Sequence, residues 1–126
     1  MESCIDFAIG PETSPGEAME RAGAMVALSL PRFLDGVPGA EEICSAAIAV
    51  LTELVDVTAR HKAGIDLVGR VLWDGSHVTV SVGDMDRPLP AAEEEPGLYL
   101  VHRIAVDVGQ YAGDMGGRVT WAAVAV

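Results

Sequence analysis

Glu53 and His61 stand eight positions apart in the run Leu51-Thr52-Glu53-Leu54-Val55-Asp56-Val57-Thr58-Ala59-Arg60-His61. The apolar spacing around them is helical. A glutamate there is a candidate general base, because a carboxylate can accept a proton from a hydroxyl brought within hydrogen-bond reach. Residues 53 and 57 are four apart, so they share one helix face and could address one site. Position 57 is a valine, a side chain with no polar atom. Asp56 points about a quarter-turn away from them. Further along, Asp84 follows Val82-Gly83, Glu93-Glu94-Glu95 precedes Pro96, and Gly97-Leu98 opens an apolar run. The three glutamates supply negative charge beside that start.

Other chemistry is not supported. His77 and His102 lack metal-ligand spacing, and no serine–histidine–acid or cysteine–histidine arrangement stands out. Cys4 and Cys44 are too few and too distant for a disulfide framework, and Cys44 lies among small apolar residues like a buried thiol. His61 reads as a cation at a helix C-terminus. Trp73 and Trp121 read as core or sheet-face residues, and the glutamate run as a solvated loop.

The elements that position these residues follow from periodicity and punctuation. Cys4 to Ile9 forms a short edge strand next to Pro11. Ser14-Pro15-Gly16-Glu17 starts a first helix, with Met19, Ala22, Val26 and Leu30 at helical spacing and Pro31 as its stop. A loop with Asp35-Gly36 and Pro38-Gly39 leads to a long second helix over 40–61, acidic at its start and basic at its end. Strands over 65–73 and 78–83 flank the hairpin signal Asp74-Gly75. A flexible stretch covers 84–96, a third helix covers 97–108, and a strand apolar on both faces, hence central and covered on each side, runs from Arg118 to Val126. The expected fold is a single α+β domain over 1–126, a two-layer sandwich of a mixed, mainly antiparallel sheet with helices on one face.

The chain has 126 residues, 50% of them apolar, enough to bury a core. Its net charge is −11, from 19 acidic and 8 basic residues, which disfavours direct contact with nucleic acid or an anionic membrane. The start of the chain lacks the features of a secretion signal, and the apolar stretch from Ile43 to Leu51 is too short to span a bilayer. A cytoplasmic location is expected.

The ordered set of helix motif, hairpin, Val-Gly-Asp at 82–84, loop, Gly97-Leu98-Tyr99-Leu100-Val101 and terminal Gly-Gly strand resembles the histidine-kinase-like ATPase (Bergerat-fold) superfamily. The similarity is to its small anti-sigma factor and switch serine-kinase branch, common in actinobacteria. It covers roughly residues 40 to 126, and the first 39 more loosely. The resemblance implies Glu53 as remnant catalytic base and Asp84, Gly97 and Leu98 as remnants of the nucleotide site. The magnesium-holding asparagine of the family falls on Val57, so no metal site is expected. Two family glycines after the aspartate fall on Asp86 and Pro88, a third falls on Glu95, and the threonine after Gly-Gly-x falls on Val119, with Thr120 one place late. Aspartate and proline lack the backbone freedom of glycine, and a carboxylate at 86 repels a polyphosphate. On a strand, one residue's step reverses the face, which would turn Thr120 away from the site. The apolar framework persists while the groups needed for phosphate chemistry are replaced.

Three functions follow as expectations. The first is a regulatory protein without ATP or other cofactor, not an enzyme, that binds a sigma factor, an anti-sigma antagonist or a second copy of itself. The alternative is an active ATP- and magnesium-dependent serine/threonine kinase of the anti-sigma type. The third sets the resemblance aside and leaves an unrelated, oligomer-forming α+β domain.

Overall fold

The computed structural model describes residues 3–62, 66–113 and 116–125. The hairpin turn at Asp74-Gly75 places a glycine at φ +98° and lets Asp74 Oδ1 accept from the amides of Ser76 and His77, each at 2.8 Å. That turn joins β2 (Leu67–Trp73) to β3 (His77–Met85). β1 (Ser3–Ile9) pairs outside β2 as an edge strand, as its flanking proline implies. β5 (Arg118–Ala125) pairs with β3, and β4 (Asp107–Ala112) pairs with β5. The order is β1-β2-β3-β5-β4, and every pairing is antiparallel. The sheet is therefore wholly antiparallel instead of mixed. The expectations for Ile65 and Val126 lie outside the described residues.

Two boundaries differ from the sequence reading. The third helix is α3 (Gly97–Ile104), only eight residues, and the chain beyond it becomes β4. Val106, Val108 and Tyr111 carry β-branched or aromatic side chains, and Gly109 weakens a helix, so this segment gains more as an edge strand. The first helix, α1 (Pro15–Phe33), continues two residues past Pro31. So close to a helix end, the missing proline N–H removes little, and the Leu34 amide still reaches the Leu30 carbonyl at 3.2 Å. At its start Ser14 Oγ caps the helix by accepting from the Glu17 amide at 3.3 Å.

α2 (Ala40–Arg60) is the central helix. Ile43, Ala47, Val50, Leu51, Leu54 and Thr58 are all buried on it, as are Val55 and Val57, because it packs between α1, α3 and the sheet. The inner sheet face supplies Phe7, Ile9, Leu67, Val71, Trp73, Val80, Ala122 and Val124. Gly69 has a structural reason to be glycine: a Cβ there would fall on the Phe7 ring. The result is a two-layer α+β sandwich with one open sheet face. β5 has strands on both sides but helices on one face only. Its outer Trp121 instead covers Gly109 of β4, where a Cβ would meet the indole at 2.8 Å. No described helix is long and apolar enough to cross a membrane.

Candidate functional site

The space between α2 and α3 is where the sequence places Glu53, Val57, Gly97 and Leu98. Glu53 and Gly97 do come together. The Glu53 carboxylate lies so close to the first residue of α3 that any Cβ on Gly97 would collide with Oε2. A negative group at this helix start suits the partial positive charge of the dipole. The next amides are already bonded, Leu98 N–H to the Glu95 carbonyl at 2.9 Å and Tyr99 N–H to that of Pro96 at 3.0 Å. Leu98 itself is 1% exposed and Val57 is 1% exposed, so both side chains belong to the core.

Behind this point the interior is filled by a polar chain that the sequence did not reveal. Gln110 of β4 reaches under the 86–96 segment. Its Oε1 accepts from the Leu89 amide at 2.9 Å, and its Nε2 donates to Thr120 Oγ1 at 3.0 Å. The Thr120 hydroxyl in turn points at Met85 Sδ, 3.4 Å away. Thr120 is completely buried. The one-residue step does put positions 119 and 120 on opposite faces, but it is Thr120 that faces the helices and Val119 that faces outward. A signal for Gln110 existed only in its strand: a polar residue between Gly109 and Tyr111 on the inward side.

Asp84 is not in this interior. Register shifts between Val82 and Met85 on β3, where three residues take the space of two. Such a bulge turns the following side chain to the other face. Asp84 consequently lies on the open face of the sheet, against Gly113 and Gly117, where a Cβ would meet Asp84 atoms at 2.6 and 2.4 Å. Glu53 and Asp84 are separated by the thickness of the sheet.

The segment over 86–96 is fastened rather than loose. Met85 bridges to Lys62, the Asp86 amide donates to the His61 carbonyl at 2.9 Å, and Lys62 Nζ donates to the Pro11 carbonyl. Glu95 is the principal clasp. Its oxygens meet Arg60 at 2.7 and 2.8 Å and His61 Nε2 at 3.1 Å, while Arg60 also pairs with Asp56 at 3.0 Å. Hydrogen bonding from Arg60, then from His61, holds the Glu95 carboxyl below the usual glutamate range, and hydrogen bonds to Glu95, then to Asp56, push Arg60 upward. Glu93 and Glu94 are solvated as expected, but Glu95 is an ion-pair partner on a side chain only 14% exposed. Asp86 is exposed and pairs with its neighbour Arg87 at 2.9 Å.

His77 hydrogen-bonds Ser76 Oγ at 2.9 Å, and His102 is exposed on α3. Among the described residues no group of histidine, cysteine and acidic side chains is arranged to hold a metal. Cys44 is buried, and burial raises its thiol pKa. No protein-family model matches the sequence, and no curated protein matches it significantly.

Proposed function

We propose that the chain is a non-catalytic regulator that works by binding another protein, built on a scaffold like that of the anti-sigma factors and switch kinases. The observation that carries this reading is the Glu53 carboxylate seated against Gly97 at the start of α3. A phosphate approaching that helix start would meet a carboxylate, and two of the amides beyond it already serve the turn. Three further features point the same way. Val57 gives a cation no oxygen, Met85, Leu89, Gln110 and Thr120 interlock inside, and Asp84 lies beyond reach on the other sheet face. Sigma factors and anti-sigma antagonists are the partners that the resemblance suggests.

Isothermal titration calorimetry with magnesium ATP tests the proposal. The expected result is no heat of binding up to millimolar nucleotide. Micromolar affinity would defeat it and favour the kinase alternative.

A further inference from the structure

The outer face of the sheet does not have the composition of an idle solvated surface. Alternation places Cys4, Asp6 and Ala8 of β1, Val68, Arg70 and Leu72 of β2, and Val119, Trp121 and Ala123 of β5 on it. Tyr111 of β4 lies opposite Val119. Val68 is 52% exposed and Tyr111 is 55% exposed, although neither has a helix over it. Gly83 pairs with Val68 and is covered by the Val119 side chain, and beside it an open cleft of about 370 Å³ is lined by Val68, Gly69, Tyr111, Gly113 and Val119.

The rim of this cleft is acidic. Asp6, Asp66 and Asp84 line it, against a single cation, Arg70. Arg70 is already engaged by Asp6 at 2.7 Å. Asp66 and Asp84 have no hydrogen-bond or ion-pair partner among the described residues, so their charge is available to an incoming group. Apolar walls and uncompensated carboxylates together select a ligand that is both apolar and cationic. A second copy of this chain is a poor occupant, since each copy carries −11 and would bring like charge to the rim.

We infer that the open sheet face is the docking surface for a basic protein segment, which seats an apolar side chain between Val68, Val119 and Tyr111 and places Lys or Arg side chains against Asp66 and Asp84. This rests on the partner-binding reading above and gives the partner its chemistry. The surface lies on the far side of the sheet from Glu53 and Gly97, so docking and nucleotide binding are separable.

The test uses the full chain and a short synthetic peptide in which Arg and Leu alternate, with a Glu-for-Arg peptide as control. Binding is measured by calorimetry and located by amide chemical-shift changes. The wild-type chain is expected to bind the basic peptide, with shifts at residues 66–70, 81–84 and 119–121, and to ignore the acidic one. Asp66→Asn/Asp84→Asn should weaken binding about tenfold. Glu41→Gln/Glu42→Gln, which removes the same charge at the start of α2, should change it by less than about twofold. Tyr111→Ala, an exposed edge-strand change that leaves the carboxylates intact, should weaken binding several-fold and covers the case in which the aspartate pair does not fold. Equal losses for the two acidic pairs, shifts on the helix face, or a stable homodimer that covers this face would each overturn the inference. Those results leave the regulator reading standing, whereas micromolar magnesium ATP binding removes that reading without touching the sheet face.

Discussion

Replacing Val57 by asparagine would supply the amide oxygen that a bound magnesium ion requires, but it would place that amide in a site only 1% exposed. Burying an amide without partners costs about 2 kcal/mol. Val57→Asn is therefore expected to lower stability by that amount in urea unfolding and to gain no affinity for magnesium ATP, since Glu53 still covers Gly97. Recovery of nucleotide binding by this one change would contradict the packing argument. One helical step later the logic reverses. The Thr58 hydroxyl is fully buried and has no hydrogen-bond partner among the described residues. Thr58→Val keeps the shape and removes the unmet donor, so it should stabilise the chain by about 1 kcal/mol. A loss of stability would mean that the hydroxyl is satisfied in solution.

At the scale of elements, the clasp between the 86–96 segment and the end of α2 governs how firmly α3 is held. Glu95 has a folded-state pKa below its ordinary value of 4.5 because Arg60 and His61 stabilise its charge. Its contribution is therefore complete above that ordinary value and disappears as pH falls through the lower, folded-state value. Arg60 is 39% exposed, which discounts the pair, so Glu95→Gln should cost about 1 kcal/mol at neutral pH. The same variant should lose less stability than wild type between neutral pH and strongly acidic pH. Thermal melts across that range check both statements; parallel curves for the two chains would show that the clasp contributes nothing.

At the scale of the molecule, the sequence discloses the layers better than the connections. α2 was legible because Ile43, Ala47, Leu51, Leu54 and Thr58 repeat at helical spacing over a long run, and the β2–β3 hairpin because Asp74-Gly75 has a specific turn geometry. β4 was not legible, since its six residues follow closely on α3 and the apolar Val101, Ala105 and Val108 repeat at helical spacing across the junction. The site divides in the same way. Glu53 and Gly97 are local to helices, and the packing of α2 against α3 brings them together. The outward position of Asp84 was not legible because a β-bulge leaves no mark on hydrophobic alternation, and Gln110 was missed because its meaning depends on the unseen strand.

We propose that side chains of the chain itself occupy the place that a nucleotide would take. Amide chemical shifts recorded while magnesium ATP is added up to millimolar concentration test it most directly, because they give location as well as affinity. Glu53, Gly97, Leu98 and Gln110 should stay unmoved throughout. Saturable shifts clustered at those four residues would contradict it.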